Sequence, residues 1–574
     1  MLTVLSAAAV LLLSISCSLS NASPSRWPIK RDSTQSPTVA IKNGSYYGLY
    51  LPTYDEDLFL GMPYAQPPTG DLRFRVPQPL NSSWTGTKNA TQYSPECIGY
   101  GSDDWVLGNY VSEDCLTVNV VRPSGVSQGD DLPVAVWIYG GGFTEGGSLD
   151  PRYNLSFIVQ ESVSARLPVV AVSLNYRVAE WGFLYSQEMA AEGASNLALR
   201  DQRLALHWVQ ENIEAFGGDP AKVTIWGESA GANSVGTQLV AYGGRDDGLF
   251  RAAISESGSP SGLSKYPTAE DWQPVYDAVV NATNCTSASD TLACLRTVPS
   301  AQLSAVFNSS VTESAQNRPV IDGDFLTQSG TVAMRKGEFV KVPYLIGANF
   351  DEGGSFGTRG INTTEQFLEM VTATGPDNAT ALTIAAVYPD IPEIGIPATL
   401  KGRPAASDVA TYGYQWKRSA AYNGDLTMHA GRRLTSQMWA QNNVSCWTYH
   451  FNVLVNGLSP LQGAAHFQEV AFVFHNTEGL GYENAVAVNP FAGMPDTYPR
   501  LSKIMSRMWI SFIAELDPNE SGATCVYWPQ YTLDNPQNIV FDTNVTSLAY
   551  LEPDIYRAEG IAYIGERLDT VYGY

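Results

Sequence analysis

Apolar positions in the first half of the chain fall into short continuous runs, separated by segments with helical spacing. LPVAVWIYG (132–140) and LPVVAVSLNYR (167–177) are β-rich apolar runs. KVTIW (222–226), AAISESG (252–258) and VPYLIGAN (342–349) are further runs of the same kind. NLALRDQRLALHWVQENIEAFGG (196–218) instead spaces its apolar residues as a helix does and stops at Gly217-Gly218. Strands apolar on both faces, alternating with helices, predict an α/β protein with a large, mostly parallel central sheet covered on both sides. The second half is richer in helical patterns and loops and is expected to pack over that sheet. No repeat, low-complexity tract or linker divides residues 32–574, which are expected to form one domain.

The run at 222–226 leads straight into Gly227-Glu228-Ser229-Ala230-Gly231, followed by a helix-compatible segment. A strand feeding a helix through G-x-S-x-G puts the serine at the apex of a tight turn, at the carboxyl end of the sheet. Glycine is required on both sides because a Cβ would strike the neighbouring strand and helix. The helix dipole favours negative charge at Ser229. A serine hydroxyl is a weak nucleophile, so it needs a base, and the oxyanion formed on attack needs donors. Gly140-Gly141-Gly142-Phe143 ends another strand; Gly141 and Gly142, with Ala230 in the first helical turn, are the expected donors.

The base should be one of five histidines: His207, His429, His450, His466 or His475. His207 lies in a helical pattern and reads as structural, and His450 lies in the strand-like CWTYHFNV. His466 sits among small residues in GAAHFQEVAFVF, which suits a loop near a cavity. The orienting acid should lie between serine and base in the chain. Asp351 and Glu352 follow a strand and qualify, as do Asp322 and Asp324.

Composition narrows the setting. The 574 residues are 44% hydrophobic and 16% charged, with formal net charge −23. Such an acidic surface opposes nucleic acid and anionic membranes as partners. Residues 1–22 begin with an uncharged segment holding an apolar run from Val4 to Ile15, too short to span a bilayer, and read as a secretory leader. Lys30-Arg31 then suggests a short propeptide over 23–31. Of seven cysteines, Cys17 leaves with the leader, and the six that remain suit three disulfides. No C-x-x-C pair points to a metal. Asn43, Asn81, Asn89, Asn154, Asn281, Asn284, Asn308, Asn362, Asn378, Asn443, Asn519 and Asn544 each begin an N-x-Ser/Thr sequon, as on a glycosylated extracellular surface.

Several longer stretches resemble the type B carboxylesterase family, the cholinesterase and fungal lipase branch of the α/β-hydrolases. They are GMPYAQPPTGDLRF (61–74), SEDCLTVNV (112–120), WIYGGGF (137–143), VSLNYRV (172–178), the long run 196–231, DEG (351–353) and GAAHFQEVAFVF (463–474). The resemblance implies an α/β-hydrolase fold and a serine ester hydrolase with Ser229, Glu352 and His466 as triad. It keeps Gly141, Gly142 and Ala230 as oxyanion donors. It pairs Cys97 with Cys115, Cys285 with Cys294 and Cys446 with Cys525. Ester and water are then the only reactants, no cofactor or metal is called for, and the chain can be monomer or homodimer.

Substrate choice is the open question. Only 17 residues separate Cys97 from Cys115, and a short stapled loop has little slack to swing as a lid. An esterase on soluble, short-to-medium-chain esters is therefore expected ahead of a lipase or sterol esterase. Trp105 stands ten residues before Cys115, where cholinesterases carry their choline-binding tryptophan, but Gly354-Ser355-Phe356 replaces the aromatic pair that follows DEG there. Trp105, Phe143, Glu228 and Phe356 are the candidate substrate-side residues. A natural-product tailoring esterase or acyltransferase would use the same machinery, and a non-catalytic binding protein would not need it.

Overall fold

The computed structural model describes residues 36–101, 110–262, 264–482, 487–524 and 526–574. The expected leader and propeptide, Trp105 and Cys525 lie outside them. Eleven strands form the central sheet. In chain order they are β1 (Leu49–Leu51), β2 (Glu56–Pro63), β3 (Thr117–Pro123), β4 (Leu132–Ile138), β5 (Val170–Leu174) and β6 (Gly218–Glu228). β7 (Ala252–Glu256), β8 (Tyr344–Asn349), β9 (Cys446–Phe451), β10 (Gln537–Phe541) and β11 (Ala549–Pro553) complete it. Across the sheet the order is β1-β2-β3-β5-β4-β6-β7-β8-β9-β10-β11. Every pairing from β5 to β10 is parallel, and the pairings outside that block are antiparallel. This is the α/β-hydrolase arrangement.

The apolar runs become the buried strands because both of their faces are covered. Every residue of β5, β7, β8 and β9 is buried. The 196–218 pattern forms helix α1 (Leu197–Asn212), which ends earlier than its spacing suggested. Its last turn tightens to a 3₁₀ turn over Ile213–Phe216, and Gly217 takes φ +84° to release the chain into β6. Helix α2 (Ala230–Gly244) follows β6, and helix α3 (Thr497–Glu515) covers the sheet. Trp137 on β4, Trp226 on β6 and Phe474 pack with ring centroids 4.6–4.9 Å apart. The second half does more than pack over the sheet: it supplies β8 to β11.

Two expected disulfides are present, Cys97–Cys115 and Cys285–Cys294, with Cα separations of 5.1 and 5.7 Å. Among the described residues Cys446 is the free cysteine, buried at the start of β9. Cys525, its expected partner, lies outside the described residues. The Asn519 carboxamide is spent internally: its nitrogen donates to Asp517 and the Trp528 carbonyl, and its oxygen accepts from the Trp528 amide. A sugar on that nitrogen has to displace these bonds.

Just past β11, Asp554 accepts two guanidinium forks, from Arg432 (2.6 Å) and Arg433 (2.9 Å), and a bond from the Tyr531 hydroxyl. All three charged side chains are almost fully buried. Removing the acid leaves two buried cations unpaired, which costs about 3–5 kcal/mol. Asp554→Ala is therefore expected to lower the denaturant midpoint by that equivalent, whereas an unchanged midpoint would show the clamp to be incidental.

Candidate active site

Ser229 caps the start of α2 with φ +55° and ψ −122°, a conformation an L-residue holds only under constraint. The constraint is packing. A Cβ at Gly231 would collide with the Ile138 carbonyl at the end of β4, and one at Gly227 would collide with the Gly231 carbonyl. The Ser229 amide donates to the Glu256 carbonyl at 2.9 Å, and the Asn233 side chain donates to the Ser229 carbonyl at 2.9 Å. The hydroxyl is thereby presented above the carboxyl ends of β4, β6 and β7.

Of the five histidines, His466 is the one that reaches it. Its Nε2 lies 2.8 Å from Ser229 Oγ and its Nδ1 lies 2.9 Å from Glu352 Oε2. His207 is exposed on α1, His429 is buried beside His450, His450 pairs with Glu552, and His475 meets Ser502. Of the candidate acids, Asp322 and Asp324 pair with Arg200. Asp351 exchanges bonds with the backbone of Ala464, accepting from its amide at 2.9 Å and donating to its carbonyl at 3.0 Å. It thus pins the loop that carries His466. Burial pushes the Asp351 carboxyl up to about 6.

Glu352 is fully buried. Its Oε1 accepts from the Asn349 amide at 2.8 Å and from Ser257 Oγ at 2.5 Å. Ser257 and Glu469 were not among the sequence candidates. Glu469 accepts from Asn349 Nδ2 at 2.5 Å and from Ser257 at 3.3 Å, so it shares the Ser257 hydroxyl with Glu352 and takes the side chain of the residue whose backbone amide serves Glu352. The available signal was positional: Ser257 is the last residue but one of the AAISESG run, and Glu469 falls three residues after His466. Glu228 Oε1 lies 3.3 Å from His466 Nε2. One strand over, Glu256 accepts from the indoles of Trp226 (2.5 Å) and Trp509 (2.7 Å). Burial opposes charge on His466, but the carboxyls of Glu228 and Glu352 outweigh it and push the imidazole up to about 9. Burial likewise raises Glu228 well above the usual carboxylate range, so the two compete for one proton.

In the segment that begins at Gly140, where a Cβ would meet that of Ser229 at 3.0 Å, Gly141 and Gly142 take φ +91° and +63°. Among the described residues their amides, like that of Ala230, have no hydrogen-bond partner. Phe143 is buried against Phe183, and the Phe356 ring meets the His466 imidazole edge-on at 4.8 Å. Such an arrangement can deprotonate a hydroxyl, hold the imidazolium and receive an oxyanion. Among the described residues no cluster of His, Cys, Asp and Glu suits a metal.

Burial, and then the neighbouring Glu352, push Glu469 up to about 7 from an ordinary 4.5. The folded state therefore holds that proton more tightly than the unfolded chain does. The associated stability is complete below the unfolded value and is lost as pH rises through about 7. His466, raised from 6.5 to about 9, pulls in the same direction. Tm should fall between pH 5 and pH 8, and Glu469→Gln, neutral throughout, should flatten that slope. An identical slope in the variant would remove Glu469 from the effect.

Residues 35–555 match the model of the carboxylesterase family. The chain is 35% identical to Lipase 4 of Diutina rugosa, over 91% of this chain and 95% of that one. It is 36% identical to Secreted lipase 1 of Botryotinia fuckeliana, over 83% and 84%. The crystal structure of Aspergillus niger EstA superposes with a TM-score of 0.77 at 30% identity, covering 94% of this chain and 99% of that one. With the sheet order and the hydroxyl–imidazole–carboxylate chain already traced, these matches place the protein in the carboxylesterase family, as a carboxylic ester hydrolase.

Proposed function

We propose that the protein is an exported serine esterase that works through an acyl-enzyme on Ser229. The observation that carries this reading is the unbroken chain from Ser229 Oγ to His466 Nε2 (2.8 Å) and from His466 Nδ1 to Glu352 Oε2 (2.9 Å). Ser229 Oγ attacks the ester carbonyl while His466 Nε2 takes its proton. The amides of Gly141, Gly142 and Ala230 receive the developing oxyanion. His466 returns the proton to the leaving alcohol, and water then repeats the sequence on the acyl group. Glu352 keeps Nδ1 protonated, and Asn349 and Ser257 in turn hold Glu352. Ser229→Ala should lower kcat on a chromogenic short-chain ester by about 10⁴- to 10⁶-fold. Near-native turnover would take Ser229 out of the mechanism.

Export is supported by the apolar N-terminal run, the disulfides and the relatives named as secreted. The substrate is inferred to be a soluble ester of short or medium chain, since the Cys97–Cys115 bridge closes its loop over 17 intervening residues. The names of the relatives favour a second reading, a lipase. A p-nitrophenyl series from acetate to palmitate, with tributyrin followed across its solubility limit, separates the two. Rates should peak at short acyl chains without a jump at the emulsion boundary; a sharp jump there would make the enzyme a lipase.

A further inference from the structure

His466 is carried by a loop that the end of β8 ties down just before the base. Asp351 exchanges bonds with Ala464, and Asn349 Nδ2 donates to the Ala465 carbonyl at 2.7 Å. Phe467 follows the base directly. It takes φ +73°, the largest positive φ of any described residue other than glycine. Bulky side chains are rarely found there, and a glycine would adopt the same backbone without strain. The turn itself therefore does not call for phenylalanine. The reason for one lies in what its ring touches.

The ring faces a cation. The Arg152 guanidinium lies 4.9 Å from the ring centroid. That guanidinium is itself fixed. Asp150 accepts from Arg152 Nε at 2.8 Å, from Nη2 at 2.5 Å and from the Arg152 amide at 2.9 Å, at the start of a 3₁₀ turn over Pro151–Tyr153. The Asn476 side chain donates to the Arg152 carbonyl at 3.2 Å. The chain also packs so closely at Gly481 that a Cβ there would strike Pro151 and Arg152. Both charged side chains are largely buried. A guanidinium withdrawn from water is drawn to an aromatic face more strongly than an exposed one. The pair stands near the reacting groups as well. Burial raises Glu228, the neighbour of Ser229, and the charges of His466 and Arg152 both oppose that rise.

We propose that Phe467 is a positioning residue, its ring clamped by Arg152 so that the His466 imidazole is held between Ser229 and Glu352. The proposal deepens the esterase reading and rests on it. The base is then tethered on both flanks, to β8 through Ala464 and Ala465 and to the Asp150–Arg152 pair through Phe467. The strain at Phe467 is the cost of placing a ring, rather than a hydrogen atom, immediately after the base.

The test measures kcat and KM on p-nitrophenyl butyrate with the full chain, each rate expressed per serine titrated by an organophosphate. Phe467→Gly relieves the backbone and removes the ring. It should lower kcat about 10- to 100-fold, the scale of a small misplacement of a catalytic group, and move KM less than about threefold. Phe467→Tyr keeps an aromatic face for Arg152 and should stay within about threefold of the wild-type kcat. Arg152→Met should slow turnover as Phe467→Gly does, and the double variant should be no slower than the worse single one, because both remove the same contact. A Phe467→Gly enzyme with wild-type kcat overturns the proposal. So does a Phe467→Tyr enzyme as slow as Phe467→Gly, or a rise in KM with kcat kept, which would make the ring a wall of the substrate site. Should Arg152→Met not fold, the two Phe467 variants decide the matter alone. A wild-type enzyme that neither turns over the ester nor takes the label sinks the esterase reading instead.

Discussion

The whole site hangs on how closely the turn after β6 approaches the end of β4. Gly231 sits so near the Ile138 carbonyl that no side chain fits between them. The parallel register sets Gly227 beside Ile138, and the Gly140–Gly142 segment begins two residues later. One tight contact thus fixes the hydroxyl and the start of the glycine segment beside it. The next strand over gives its Glu256 carbonyl to the Ser229 amide and then, one residue on, Ser257 to Glu352. Parallel strands end at the same edge of the sheet, so groups far apart in the chain converge there without long side chains. His466 is the exception. It comes on a loop beyond β9, and Asp351 and Ala464 stitch that loop to the end of β8.

The electrostatics beneath that edge are unusual for a buried region. Glu228, Glu256, Glu352 and Glu469 are all nearly inaccessible, and one imidazole stands among them. Four unpaired carboxylates there would be prohibitive, so protons or hydrogen bonds must hold them. Each solution is visible. Glu256 leans on two indoles, and Glu469 shares Asn349 and Ser257 with Glu352. Burial raises both above the usual carboxylate range. Glu352 has the richest donor set, a backbone amide, a hydroxyl and the imidazole. Those donors fix the orientation of the carboxylate against the imidazole.

Much of this was legible in the chain because it is local. Five apolar runs became strands near their expected positions, and the glycine pair around Ser229 announced its turn. What stayed open was non-local. Residue chemistry alone could not separate Asp351 from Glu352, since adjacent residues leave a strand end in different directions. The backbone sends one to the Ala464 amide and the other to the imidazole. The resemblance chose the residue that the geometry also favours. Ser257 and Glu469 escaped notice because they act through other side chains, and a serine or glutamate in isolation carries no such signal. Helix α1 ended early for a local reason its apolar spacing could not encode: a 3₁₀ turn closing on a left-handed glycine.

Substrate preference was the least legible, and the architecture explains why. The hydroxyl, the imidazole and the carboxylate stand on a buried turn, a loop stitched to the sheet and a strand end, where packing allows little latitude. What meets the rest of an ester is built by connecting segments, and these carry no periodic pattern in the sequence. Changing those segments alters what fits without disturbing the hydroxyl, imidazole or carboxylate.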